Sequence, residues 1–562
     1  MKTLLKNGLI VNVFTGEIEK KNVLIEDKII LGVGDYKETD ADITEDVSGK
    51  YICPGFIDGH IHIESTMLLP AELAKICTVH GTTSIVADPH EIANVCGTKG
   101  LDYMLAASEC LPLTVYMMLP SCVPSTAFDE TGAVLEAGDL HPYYGNPRVL
   151  GLAEMMNYPG VLFGDENVHR KIRDARDSGK PVNGHAPLLS GKDLDRYIAA
   201  GIQDDHECSS AEEAVERIRK GQWVMIREGT AARNLEGLLP LFDAPFCHRC
   251  LLVTDDRHPA DLLREGHIDN IIRKAVAAGK SAVTAIQMAT IQAAQCFGLR
   301  YIGAVAPGYQ ADILVLKDLE TVKVCDVYHK GRKVTENGTA LPFPYPEIPE
   351  SLQKSVLGSF SLPMLTEEHF HIAPASACCR VIGVVAGQLL TEERALPINW
   401  MQNNGVDTDQ DILKLAVIER HHNTGHMGLG FISGIGMKKG AIASSVSHDS
   451  HNLIVIGTNE RDMAAAANHI RFMGGGNAVV CDGEILAEMP LPVAGLMSSL
   501  SAEEVASQNE AVRSAVYKLG VPEQIEPFMN MAFVSLPVIP SLKMTTHGLV
   551  DVAKQELVSL YI

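Results

Sequence analysis

The chain has 562 residues, 46% hydrophobic and 21% charged, the balance of a folded protein with more than one core, which excludes a disordered or low-complexity polymer. Its formal net charge of −23 sets it against phosphate backbones, so no nucleic-acid partner is expected, although a single uncharged nucleobase stays compatible. No apolar run reaches the roughly 18 residues that cross a bilayer and the start, Met1 to Gly8, lacks a signal peptide's apolar stretch; a cytoplasmic protein with reduced cysteines and no membrane partner is expected.

Residues 1–53 read as short strands, with β-branched runs at 9–13 and 22–25. A similar strand pair at 311–316 and 322–328 is expected to complete one small β domain across the intervening chain, neither half being large enough alone. Between them, strand-like runs alternate with helical stretches. They lie at 55–58, 83–87, 113–118, 149–153, 181–184, 201–204, 223–226 and 250–254. Eight strand–helix units in about 250 residues predict an α/β fold with a TIM-type (β/α)8 barrel, and a doubly wound open sheet is the alternative. Four prolines in 339–350 mark a linker. A C-terminal α+β domain follows, with strands at 380–385 and 452–456 and helices at 462–471 and 502–519. The expected domains are therefore 1–53 with 300–338, 54–299, and 351–562.

Barrel active sites sit at the C-terminal ends of the strands. Here those ends carry His60, His62 and Glu64; Asp88, His90 and Glu91; Glu154; His185; His206 and Glu207; and Asp255. Histidine and carboxylate are natural ligands for divalent first-row metals, and strand ends gather them around one axis. His60 and His62, two apart on an extended backbone, face the same way. Any one of these histidines alone is more often a packed residue than a ligand; the pattern across separate strands is what points to a metal.

The stretch from Pro54 to His62, Pro-Gly-Phe-Ile-Asp-Gly-His-Ile-His, resembles the first-strand signature of the amidohydrolase superfamily. In that family a His-x-His pair, a bridging ligand after strand four, histidines after strands five and six and an aspartate after strand eight hold the metals. His60, His62, Glu154, His185, His206 and Asp255 fall in that order. A glutamate stands where many members have a carbamylated lysine, which is similar to the bacterial adenine deaminases, as are the local stretches 87–92, 183–187 and 254–257 and the long C-terminal region. The resemblance implies hydrolytic deamination of adenine to hypoxanthine and ammonia by a metal-activated water. It implies two divalent cations per chain, manganese first, with iron or zinc also suiting the ligands. It makes Asp255 the proton carrier, with Glu64 the second catalytic candidate by its alternation with His62. His90, Glu207 and Arg227 are candidate substrate contacts, although alternation turns Glu207 away unless its strand has ended, and a solvated loop is the plain reading of Arg227. The small-molecule base and further copies of the chain are the expected partners. A cyclic-amide hydrolase of the same superfamily and a non-catalytic metal-binding barrel are the competing readings.

Two motifs are set aside. His62-Ile63-Glu64 with Pro245-Phe246-Cys247-His248-Arg249-Cys250 imitates the cytidine-deaminase signature, but with an extra residue and almost the whole barrel between its halves. Ser447-His448-Asp449 is no triad, because triads assemble from distant segments. A structural or interface role is its default reading, and a loop entering the barrel mouth is the alternative.

Overall fold

The computed structural model describes residues 1–230, 232–385, 390–401 and 403–562. Strands β1 (Lys2–Val11), β2 (Ile18–Glu26), β3 (Ile29–Gly34), β4 (Ile43–Asp46) and β5 (Tyr51–Pro54) open the chain. β1 pairs antiparallel with β2 and parallel with β4 and β5. The strands reach further than the β-branched runs alone suggest, since polar residues such as Lys2 and Glu26 face each other across the ladder.

Eight strands follow, each overlapping one of the runs read from the sequence. They are β6 (Phe56–Ile61), β7 (Thr82–Ala87), β8 (Thr114–Leu119), β9 (Val149–Met155), β10 (Val182–Gly184), β11 (Asp204–Asp205), β12 (Trp223–Arg227) and β13 (Cys250–Val253). Most are buried on both faces, which is why they read as apolar runs without alternation. β6 to β10 pair in parallel in chain order, and so do β11 to β13. Parallel bridges Val182↔Ile202 and Ile61↔Asp255 join the two sheets at both ends. Helices such as Pro70–Val79, Glu166–Asp177 and Ile268–Ala277 come between strands and after the last, in the α/β arrangement of the TIM-barrel type. Ile57, Val86, Met118, Leu251 and Val253 fill the space between strands, each contributing about 1.5–3 kcal/mol by burial.

The chain then returns to its first sheet with β14 (Ile313–Leu316), β15 (Val324–His329), β16 (Arg332–Glu336) and β17 (Thr339–Ala340). β14 pairs antiparallel with β5, Val315 opposite Ile52, so that one sheet is built from both sides of the barrel. The proline-rich stretch is more than a linker: it begins in β17, and the helix that starts at its end, Glu350–Leu357, packs on helix Thr98–Ala107.

Among the described residues, β18 (Cys378–Val384), β19 (Thr391–Pro397), β20 (Leu413–Ile418), β21 (Met427–Ser433), β22 (Ala441–Ser444), β23 (Leu453–Gly457), β24 (Gly476–Cys481) and β25 (Glu484–Pro490) form the C-terminal sheet. Its order is β19-β18-β21-β20-β23-β22-β24-β25. Helix Glu460–Met473 covers one face, started by the Asn459 side chain accepting from Asp462 N–H and ended at Gly474 with φ 75°. Helix Ala502–Lys518, opened by a Ser501–Glu504 capping box, packs against both β25 and barrel helix Pro259–Glu265. One apolar core runs from Ile61, Leu68 and Ile92 at the barrel mouth to Leu491, Met497 and Met531. The C-terminal region is thus fused to the barrel by burial.

Candidate metal centre

β6 carries His60, and His62 follows one residue past its end. The two-residue spacing brings their ring centroids to 4.7 Å. His62 Nδ1 lies 3.1 Å from the carbonyl of Asp88, a contact that fixes the ring and aims Nε2 inward. Asp255 follows β13 with a φ of 58°, and its N–H donates to the His60 carbonyl at 2.9 Å. Aspartate visits this left-handed region at a cost of about 1–2 kcal/mol. The result is that Oδ1 stands 3.2 Å from His62 Nε2 and 3.6 Å from His60 Nε2.

Glu154, near the end of β9, occupies the centre. Its Oε1 is 3.5 Å from both His62 Nε2 and His90 Nδ1. Its Oε2 is 2.7 Å from His185 Nδ1 and 3.1 Å from His206 Nε2. One carboxylate therefore separates two histidine groups. His185 is held by Tyr197, whose hydroxyl accepts the His185 N–H at 3.0 Å and donates to the Met155 carbonyl at 2.8 Å. The preceding Gly184 has to be glycine for space: a Cβ there would lie 2.2 Å from the Asp204 carbonyl oxygen.

Burial works against charge on every group here. At Glu154 the imidazoles of His185 and His206 reverse it, and at Asp255 the Arg227 guanidinium with His60 and His62 does so; both carboxyls are held well below the usual range. Burial likewise disfavours charge on His62 and His206, but the facing carboxylates outweigh it and raise both. His60 goes the other way: burial and the stacked His206 ring, 4.4 Å off, lower it.

The donor set fits a divalent cation. His60 Nε2 and His206 Nδ1 are buried without a hydrogen-bond partner, and His185 Nδ1 and His206 Nε2 converge to 3.2 Å while both face Glu154. Among the described residues, His60–His62–Asp255, His60–Glu154–His206 and His62–Asp88–His90–Glu154 each offer ligand atoms lying within 4.8 Å of one another. Imidazole and carboxylate in these numbers make a divalent metal site.

The remaining candidates fall around it. Alternation fails for Glu207 because β11 ends at Asp205; Glu207 turns inward, with Oε1 3.3 Å from His206 Nε2. Arg227 is no solvated loop. Its Nη1 donates to Glu207 Oε1 at 2.5 Å and to Asp255 Oδ2 at 2.7 Å, clamping both carboxylates. Alternation also fails for Glu64, because β6 stops at Ile61 and Glu64 begins a 3-10 turn. Its Oε1 accepts the Ile92 N–H at 3.1 Å, and burial with the neighbouring Glu91 pushes its carboxyl up to about 8. His90 opens helix His90–Cys96, with Nδ1 3.2 Å from Asp88 Oδ2. Cys247 and Cys250 serve packing: both are buried, and burial raises both thiols.

The loop after β22 enters the barrel mouth. Asp449 Oδ1 lies 3.7 Å from His90 Nε2, and His448 Nδ1 and His451 Nε2 each lie 3.9 Å from Glu91. The run of His and Asp at 448–451 was the only sign of this in the sequence, and no local pattern says where such a loop goes.

Two protein-family models match the chain. Residues 51–334 match the amidohydrolase family and residues 388–556 the adenine deaminase C-terminal domain. "Adenine deaminase 2" of Carboxydothermus hydrogenoformans is 47% identical over 554 residues, covering 98% of this chain and 95% of that protein. An adenine deaminase of Desulfatibacillum aliphaticivorans is 45% identical, covering 99% and 97%. Among solved structures, a D-hydantoinase superposes with a TM-score of 0.48 at 16% identity, over 62% of this chain and 97% of that one.

Proposed function

The chain belongs to the adenine deaminase family of the amidohydrolases, and from that premise we propose that it hydrolyses adenine to hypoxanthine and ammonia. The near-full-length match to adenine deaminases is the observation that carries this reading. The placement of Glu154 between two histidine groups supports a pair of cations, held by His60, His62 and Asp255 on one side and His185 and His206 on the other. Manganese is the proposed metal on the family resemblance, and the set of imidazoles and carboxylates also suits iron or zinc. Such a pair, when bound, acidifies water toward neutral pH and offsets charge developing on the substrate.

The chain's residues then have separable tasks. Asp255 Oδ1 faces the histidines and takes the proton from the attacking water, while Arg227 on Oδ2 fixes its rotamer. The same carboxyl returns that proton to the ring nitrogen and then carries the remaining hydroxyl proton to the amino group, so that the water oxygen stays on C6 as the carbonyl and the C6–N6 bond breaks to release ammonia. Glu64, with its raised pKa, stands ready to hold a ring nitrogen through a shared proton. His90, Glu207 and Arg227 shape the wall around the base. We read the eight strands as one closed barrel, on the strength of the two bridges at its seams, and the chain as three units spanning 1–53 with 300–338, 54–299 and 351–562. All thirteen cysteines are unpaired, in keeping with a reducing cytoplasm.

The test is ammonia release from adenine by the purified, manganese-loaded protein, with hypoxanthine identified as the product. Turnover of cyclic amides but not of adenine overturns the reading.

A further inference from the structure

Beside the metal cluster lies a cleft whose two walls come from different parts of the chain. Ser65 and Asp256 line it from the barrel; His448, Asn477, Phe528 and Met529 line it from the C-terminal region. The barrel wall is continuous with the cluster. Asp256 follows Asp255 directly, and Ser65 Oγ is 2.6 Å from both Asp256 Oδ1 and Glu91 Oε1. The opposite wall reaches the cluster too, because Asp449, next to His448, faces His90 with a buried Oδ2 that has no hydrogen-bond partner.

That second wall is built for rigidity. The His448 ring stacks on Phe533 at 4.5 Å and 17°. The His448 backbone N–H donates to the Ala532 carbonyl at 2.9 Å, and Ser447 Oγ meets Ser535 Oγ at 2.5 Å, which ties the loop to helix Pro527–Phe533. Ser444 Oγ donates to Asn477 Oδ1 at 2.7 Å, so the Asn477 amide is oriented with its NH2 as the group left to donate. A flat base needs apolar contact on its faces, donors for its ring nitrogens and an acceptor for its ring N–H. Met529 and Phe528 offer the first, Asn477 and His448 the second, Asp256 the third.

We propose that the C-terminal region supplies half of the purine pocket, with His448, Asn477 and Met529 touching the base opposite Asp256. This rests on the adenine deaminase reading and deepens it: the barrel residues would face one side of the base and the C-terminal region the other.

The test begins with the wild-type, metal-loaded enzyme. Absence of ammonia release from adenine at this stage overturns the underlying reading before any variant is made. With an active wild type, Asn477→Ala and Met529→Ala are expected to raise KM for adenine tenfold or more. They should weaken binding of unsubstituted purine, measured by calorimetry, by a similar factor while metal content stays at the wild-type value. Folded variants with wild-type KM and purine affinity overturn the proposal. Photolabelling of the unmodified enzyme with 8-azidoadenine decides the case even where a variant does not fold. Adducts within residues 444–533 support it, and adducts confined to residues 54–299 overturn it.

Discussion

Asp58 and Asp255 are both buried in the barrel, yet their carboxylates meet different company. Asp58 Oδ1 accepts N–H groups from His60 at 3.2 Å and Thr254 at 3.1 Å. Its Oδ2 accepts the Thr254 hydroxyl at 2.5 Å and lies 3.1 Å from His267 Nε2, whose Nδ1 meets Thr82 Oγ1 at 2.8 Å. Both Asp58 oxygens thus accept hydrogen bonds from neighbouring donors, while His267 Nε2 beside them makes no hydrogen bond of its own. Around Asp255 and Glu154 imidazole nitrogens converge on shared oxygens, and His60 Nε2 is left without a partner. Residue type is the same in both places. What separates the strut from the metal site is how many imidazoles converge on one carboxylate: one at Asp58, against two at Asp255 and four at Glu154.

The sharpest way to break that contrast is to remove a ligand. His60→Ala or His185→Ala should lose metal and activity together, with a rate loss on the order of 10⁴-fold or more, since water activation goes with the cation. Elemental analysis of the purified variants, read beside ammonia release, checks this; full metal occupancy removes that residue from the ligand set. Next in size is the proton carrier. Asp255→Asn keeps an oxygen near the histidines but takes no proton at neutral pH, so turnover should fall roughly 10²- to 10⁴-fold with most of the metal retained. Near-normal turnover moves the role to Glu64. Glu154→Gln should lower occupancy of the pair and cost about 10²-fold or more in rate, and added bicarbonate should change nothing because no lysine carbamate is involved. A bicarbonate requirement counts against Glu154 as the bridge.

The strut should respond in the opposite currency. Asp58→Asn presents an NH2 to existing donors and should cost about 1–3 kcal/mol of stability, seen as a lower urea midpoint, while the folded fraction keeps its metal. Loss of metal from folded Asp58→Asn would falsify the division between the two clusters. The smallest effect concerns a histidine remote from the site. His329 in β15 is held neutral, its pKa lowered to about 3 by burial and Lys330, with Thr114 Oγ1 3.0 Å from Nε2. The unfolded chain takes up that proton from about pH 6.5 downward, so stability is fully present above 6.5 and drains as pH falls toward 3, by about 1.4 kcal/mol per pH unit. Urea midpoints at pH 7 and pH 5 should differ less in His329→Gln than in the wild type.

Much of the barrel was legible because parallel strands covered on both faces print as apolar runs, and even β11, two residues long, was marked by the acids beside it. The histidines and carboxylates proposed as ligands stood out because they follow directly on those runs, and the structure brings them together. Alternation is no guide to Glu64 or Glu207, because it holds only while a strand lasts: β6 ends at Ile61, and β11 ends at Asp205, the condition under which Glu207 is expected to turn inward. The C-terminal sheet was read in part. Strands such as β21 are interrupted by glycines at 428 and 430, sites where a Cβ would press on Thr545 or Met544, and so lack the unbroken apolar signature. The His448–Asp449 turn was visible as composition; its destination depends on helix Pro527–Phe533, about 80 residues further on, and no local rule reaches that far.

The pairing of β5 with β14 has a consequence for how this chain is made. On a ribosome β5 emerges about 260 residues before its antiparallel partner, and at 5–20 residues per second its edge waits on the order of tens of seconds. Every proposed ligand, from His60 to Asp255, is synthesised within that interval. The nascent metal site thus exists on a chain whose first sheet still has an open flank, the kind of edge that templates pairing with other chains. A product truncated before Ile313 would carry the complete ligand set and keep that flank exposed for good.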